Sequence, residues 1–142
     1  VTAGKVGRFR FNCTGLSGRA GGFQLIKLFV DGTNLDFVGY GASGTDMTDG
    51  HYWVTDDSGN FLTPDTTLVE GTNYYVVFNI LDNGPYDTNS TLGGISDPSV
   101  FGRGGGGSGS AGCIMNPGAL SLELLVLGLF GLLGIGARFR RR

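Results

Sequence analysis

Hydrophobic and polar residues alternate with a period of two in several short stretches, and this pattern predicts strands. Val6 to Phe11 sets Arg8 and Arg10 against Phe9 and Phe11. Phe23 to Val30 is longer and more apolar, and Asp31-Gly32-Thr33-Asn34 then supplies turn residues. Leu35 to Tyr40 is expected to return as its hairpin partner. His51 to Thr55 is a further strand, turned by Asp57-Ser58-Gly59-Asn60 into Phe61-Leu62. Tyr74 to Leu81 (YYVVFNIL) is the most strongly apolar and is expected at the centre of a sheet. No window before residue 119 carries a helical period. Short strands at 10–15-residue spacing predict an all-β domain, a small antiparallel sandwich or an incomplete barrel. Its expected core is Phe9, Phe11, Ile26, Leu28, Trp53, Val76 and Phe78.

The pattern changes after residue 100. Residues 101–112 read FGRGGGGSGSAG, seven glycines in twelve positions, the composition of a flexible linker. A phosphate-cradling loop does not fit, because no Gly-Lys-Ser/Thr follows and the next segment is apolar. From Leu124 to Ala137 fourteen residues carry no polar side chain. Extended back to Ala119, the run has nineteen residues, interrupted by Ser121 and Glu123. As a helix it would reach about 28 Å, close to the ~30 Å hydrocarbon core of a bilayer. The run has no polar face, which argues against a buried helix of a soluble domain. The expected division is a β-domain over 1–100, a Gly-rich linker over 101–118, and one transmembrane helix with its Arg-rich end over 119–142.

Charge sharpens that division. The whole chain of 142 residues carries a formal charge of −2. Residues 1–112 hold six basic and eleven acidic side chains, whereas residues 113–142 hold four arginines and one glutamate. Arg138, Arg140, Arg141 and Arg142 form a stop signal that the positive-inside rule assigns to the cytoplasm. Residues 1–112 are then expected in the periplasm or outside the cell. Val1 is not an initiator methionine, so the chain reads as processed or as the end of something larger. The low charge gives no reason to expect nucleic-acid binding. Twenty-eight glycines without a Gly-X-Y period exclude collagen. One histidine and two cysteines argue against a zinc site.

Two local motifs carry resemblances. Leu68-Val69-Glu70-Gly71-Thr72-Asn73-Tyr74 resembles the approach to a late strand in immunoglobulin/fibronectin-III-like sandwiches, where a tyrosine hydroxyl bonds backbone upstream. Residues 82–112 are similar to the end of bacterial surface proteins with a choice-of-anchor domain. The matching positions are Asp82, Gly84, Pro85, Asp87, Gly93, Ile95, Asp97 and Pro98. The glycine-rich stretch, Cys113, the apolar run and the arginines resemble the tripartite sorting tails of Gram-negative bacteria. That resemblance implies export, sorting at the envelope and removal or replacement of the tail. Membrane lipid and a sorting or processing protease are the partners it implies.

Candidate chemistry is sparse. Cys13, after the first strand, reads as a small buried thiol. Cys113, between linker and apolar run, is the candidate for processing or lipid attachment. A Cys13–Cys113 disulfide is the less favoured alternative, since a flexible linker does not preorganise it. His51 lacks a Gly-x-Ser-x-Gly elbow and reads as an edge residue. Asp82, Asp87 and Asp97 are candidate calcium ligands, though aspartate also favours tight turns without metal. Tyr40, Tyr52 and Trp53 could form a sugar-stacking platform or belong to the core. The sequons Asn12-Cys13-Thr14 and Asn89-Ser90-Thr91 carry little weight in a bacterial setting. The reading that joins these features is a non-enzymatic cell-envelope protein, or the end of a larger surface protein, held by a membrane-sorting tail. Its rivals are a carbohydrate- or calcium-binding module and a structural subunit of a membrane complex or filament.

Overall fold

The computed structural model describes residues 1–103 and 113–115. In chain order its strands are β1 (Val6–Cys13), β2 (Gly18–Arg19), β3 (Phe23–Leu28), β4 (Asn34–Asp36), β5 (Gly39–Tyr40), β6 (His51–Thr55), β7 (Phe61–Leu62), β8 (Thr67–Leu68), β9 (Tyr74–Leu81), β10 (Ser99–Arg103) and β11 (Cys113–Met115). The described residues are mostly β, as the alternation predicts. One five-stranded sheet runs β1-β9-β6-β5, with β7 also paired to β6. A second sheet runs β11-β10-β3-β4, and β2 pairs with β8.

β9 is central because it is apolar at every position but Asn79 and is covered on both faces. β1 lies antiparallel to it from Val6↔Leu81 to Cys13↔Tyr74, and β6 flanks its other side from Tyr52↔Phe78 to Thr55↔Tyr75. Val76, Phe78 and Ile80 point inward and are buried. Phe78 packs against Phe9, Phe11 and Phe37, with ring centroids 5.7, 6.0 and 5.9 Å away. Phe101 of the second sheet meets Tyr52 of the first at 5.9 Å and stacks on Phe23 at 5.4 Å. The Tyr52 hydroxyl donates to the Phe23 carbonyl across the two layers at 2.9 Å. The two larger sheets therefore share one aromatic core.

The expected tyrosine contact forms: the Val69 N–H donates to the Tyr74 hydroxyl at 3.0 Å. The expected hairpin forms only in part. β4 pairs with β3, but the chain then leaves the second sheet, and β5 joins the first by running parallel to β6. The crossing is fixed at Phe37, whose N–H bonds the Leu25 carbonyl, and Val38, whose N–H bonds the Gly50 carbonyl.

Three expectations about the core and boundaries are corrected. In β3 the inward residues are Phe23, Leu25 and Lys27, not Ile26 and Leu28; Leu28 is 39% exposed. A strand has a period of two, so a phase error of one residue exchanges its faces. Trp53 is buried, but on the outer face of the first sheet, because Tyr52 and Val54 take the inward positions. Finally, residues 101–103 and 113–115 are strand rather than linker. Ser99↔Met115 to Phe101↔Cys113 make β10 and β11 antiparallel neighbours, so the glycine-rich segment 104–112 connects two strands of one sheet.

A disulfide joins Cys13 to Cys113, with Cα atoms 5.8 Å apart and a sequence separation of 100. The separation is ordinary for a disulfide. It links β1, at the edge of the first sheet, to β11, at the edge of the second. Residues 104–112, the apolar run 119–137 and Arg138–Arg142 lie outside the described residues. Among the described residues no helix is long and apolar enough to cross a membrane.

Candidate functional site

The most developed surface feature is the outer face of the five-stranded sheet. The β1–β9 and β6–β9 registers bring Arg8, Arg10, Trp53, Thr55, Tyr75, Val77 and Asn79 to that face. Trp53 is 1% exposed, and the Arg8 guanidinium lies 4.9 Å from its ring centroid. Arg8 reaches past the ring to the segment between β5 and β6. It donates to the Gly44 carbonyl at 3.0 Å, to the Asp46 carbonyl, and to the Met47 sulfur at 3.1 Å. Asn79 reaches the same segment through the carbonyls of Asp46 and Thr48, at 2.9 and 3.2 Å. A tryptophan, an arginine and an asparagine thus hold one loop against the sheet. Gly50, where that loop enters β6, has φ +74°, and a Cβ there would lie 2.5 Å from the Tyr86 ring. Glycine is the residue that suits both constraints.

Beside this cover an open cavity of about 390 Å³ is lined by Arg8, Arg10, Gly44, Trp53, Thr55 and Gly59, among others. Arg10 lies over the Tyr75 ring at 4.7 Å. The rim is cationic, but Trp53 is sealed beneath it and offers no ring face to a sugar. The other two aromatics of the expected platform are elsewhere. Tyr52 points into the core, while Tyr40 donates to the Leu62 carbonyl at 2.6 Å and accepts from the Val54 N–H at 2.9 Å. The three rings do not form one exposed platform.

His51 is half-buried and its Nδ1 lies 2.6 Å from Asp46 Oδ2. Asp46 also accepts the Thr48 N–H at 2.8 Å. The His51 contact first, and the Thr48 N–H second, hold the Asp46 carboxyl well below the usual carboxylate range. No serine hydroxyl bonds the His51 ring among the described residues. The pair fastens the covering loop to β6.

The three candidate calcium ligands have other partners. Asp82 accepts N–H groups from Gly4 at 2.7 Å and Gly93 at 3.0 Å, which lower its carboxyl. Asp87 accepts those of Asn83, Asn89 and Ser96 at 3.1, 2.8 and 3.1 Å. Asp97 is paired with Lys27. Among the described residues no three His, Cys, Asp or Glu side chains gather as a metal site. Asp82 and Asp87 organise backbone around the β9–β10 connection, a role that turn chemistry alone accounts for, whereas Asp97 is occupied by the Lys27 and Ser99 side chains.

Cys113 is likewise reassigned. Its sulfur is bonded to Cys13, so neither cysteine is free. A disulfide sulfur offers no thiolate for acylation or exchange until it is reduced. The arginines of the stop signal lie outside the described residues.

The sequence reading missed Lys27. Its Nζ lies 2.6 Å from Asp97 Oδ1 and donates to the Ser96 carbonyl at 2.7 Å. The lysine and aspartate side chains are 0% and 3% exposed. The Ser99 hydroxyl donates to the same aspartate oxygen at 2.7 Å. Burial pushes Lys27 down and Asp97 up from their ordinary values, against the opposing pull of their contact. The signal was present in Phe23-x-Leu25-x-Lys27, the alternative phase of the β3 alternation.

No family model, curated protein or solved structure matches this chain.

Proposed function

We propose that this chain is an exported, non-catalytic cell-envelope protein whose β-domain is fastened close to a membrane by its C-terminal segment. The observation that carries this reading is the Cys13–Cys113 disulfide, next to the apolar run and terminal arginines. Structural disulfides persist in oxidising compartments such as the periplasm and the cell exterior. The arginines belong on the cytoplasmic side of a span. Together these support a reading in which the domain and the C-terminus lie on opposite sides of one membrane. The Tyr74–Val69 bond supports a fibronectin-III-like sandwich, although the parallel β5–β6 pair departs from an all-antiparallel pattern.

The disulfide also changes the architecture of the tail. Only residues 116–118 lie between β11 and the apolar run. Three residues reach at most about 11 Å. The domain is therefore held near the lipid surface rather than at the end of an eighteen-residue spacer. Similarity to choice-of-anchor proteins adds sorting or processing of the tail, and any chemistry at Cys113 then requires prior reduction.

The test is topology of the full chain expressed behind an export signal in a Gram-negative host. A fluorescent protein that folds only in the cytoplasm, fused after Arg142, should fluoresce. Protease added to spheroplasts should digest residues 1–115. A dark fusion, with an active periplasmic phosphatase fusion at the same point, would overturn the orientation.

A further inference from the structure

The Lys27–Asp97 contact has features that an ordinary ion pair does not need. It is enclosed, although a surface position would avoid the desolvation of both charges. One aspartate oxygen, Oδ1, receives both the lysine Nζ and the Ser99 hydroxyl. The other, Oδ2, is buried with no hydrogen-bond partner. A carboxylate that only balanced a lysine would be expected to share donors between its oxygens. Here one oxygen is held and the other is left over. Ser96 completes the arrangement: its carbonyl takes one Nζ proton, and its own N–H is fixed by Asp87. The backbone makes the juxtaposition rigid. Lys27 is opposite Ser99 in the β3–β10 ladder, and Asp97 is two residues before Ser99, the diagonal neighbour on that side.

We propose that Lys27 and Asp97 condense inside the folded domain to an amide between Nζ and Cγ. The starting pair is an ammonium and a carboxylate. One Nζ proton passes to Oδ2, giving an amine and a carboxylic acid. The amine lone pair then attacks Cγ and forms the C–N bond. The Ser99 hydroxyl stays on Oδ1, where negative charge develops in the tetrahedral intermediate. A second Nζ proton goes to the unpartnered oxygen, the C–O bond breaks, and one water leaves. Nothing is oxidised or reduced, and no co-reactant is required. Water opposes such a condensation in solution, but the fold removes water and fixes the reactants. Well-oriented intramolecular reactions reach effective molarities of about 10⁵–10⁸ M. The product also removes two buried charges and the orphaned acceptor. Burial favours the neutral amine and the neutral acid, the forms that react. The proposal concerns the domain interior and stands or falls independently of the membrane reading.

High-resolution mass spectrometry of the full chain, unfolded and with its cysteines reduced, tests this. The expected mass is one water below that of the sequence. Between Arg19 and Arg103 the only tryptic site is Lys27. The linked chain should therefore resist cleavage there and yield one fragment, Ala20–Arg103, lighter by one water. A succinimide at Asp31-Gly32 or Asp49-Gly50 would also lose water but would leave Lys27 cleavable. Fragmentation should place the loss on a branch between Lys27 and Asp97. Lys27→Arg and Asp97→Ala should each restore the full mass of their own sequences. Wild-type chain at full mass, or cleaved after Lys27, overturns the proposal and needs no folded variant.

Discussion

Arg8 and Lys27 are both cations on strands of this domain, and their surroundings are opposite. Arg8 lies on the outer face of the first sheet, exposed, over Trp53 and against loop carbonyls. Lys27 lies within the second sheet's inward face, sealed against Asp97. Water can replace what Arg8 touches. Nothing can replace what Lys27 touches. The difference teaches that the same type of residue, in strands with the same alternation, can close a surface seam in one place and commit the core to a single partner in another. It also separates two uses of aspartate. Asp46 gains from its neighbours in the ionised form, whereas burial works against the ionised form of Asp97.

The largest effect that would sharpen this comparison is loss of the inner cation. Lys27→Ala leaves Asp97 enclosed with only Ser99 donating to it. Removing one partner of a buried pair costs about 3–5 kcal/mol, and loss of the proposed amide cross-link adds to it. Arg8→Ala removes a cation–π contact and solvated hydrogen bonds, for which about 1 kcal/mol is expected. Lys27→Met combined with Asp97→Leu leaves no orphaned charge and should recover part of the single-variant loss. Urea titration of the four proteins gives these values. Equal losses for Lys27→Ala and Arg8→Ala would break the comparison.

The next effect belongs to the link between sheet edges. In the chain-entropy account, a loop of about 100 residues closed by a disulfide contributes about 4.7 kcal/mol, and measured values centre on about 2–4 kcal/mol. Cys13→Ser and Cys113→Ser should each lower stability by that range. The double variant should cost no more than either alone, because both remove one bond. Additive losses in a denaturant titration would show that the cysteines act separately, as the sequence alone suggests.

Much of the first sheet was legible in the sequence and less of the second. YYVVFNIL announces a central strand, since a run with no polar side must be covered on both faces. Val6 to Phe11 shows its inward face because Arg8 and Arg10 mark the other. The Tyr74 contact was legible from seven residues because the hydroxyl's partner is local. β3 was misphased for a physical reason: Lys27 is polar and inward, and Ile26 and Leu28 are apolar and outward-facing, so both sides of the strand contradict the simple rule. The partner that permits this, Asp97, lies seventy residues away. The disulfide was unreadable for the same reason. A glycine-rich segment has no side chains to reveal that β11 pairs with β10 beyond it. Aspartates at 82, 87 and 97 resembled ligands because turn-forming and metal-binding residues are the same types, and only their hydrogen-bond partners, backbone N–H groups for Asp82 and Asp87 and the Lys27 and Ser99 side chains for Asp97, distinguish the roles.

The smallest effect lies on the outer face and depends on pH. Asp46 has its carboxyl lowered from 3.8, chiefly by His51 and then by the Thr48 N–H. A group whose folded value is depressed contributes stability that is complete above its unfolded value. That contribution is lost as pH falls through the folded value. Acidification below 3.8 should therefore loosen the loop held over Trp53, and Asp82, lowered by Gly4 and Gly93, adds in the same direction. Asp46→Asn removes one titrating group, so its stability should fall less steeply than wild type between about pH 5 and pH 2. Denaturant midpoints across that range supply the slopes, and tryptophan fluorescence reports the loop directly because Trp53 is the chain's one indole. Identical slopes for wild type and Asp46→Asn would show that the His51–Asp46 contact does not secure the outer cover. The contrast between an outer carboxylate favoured as an ion and an inner one disfavoured would then lose Asp46 as its outer member.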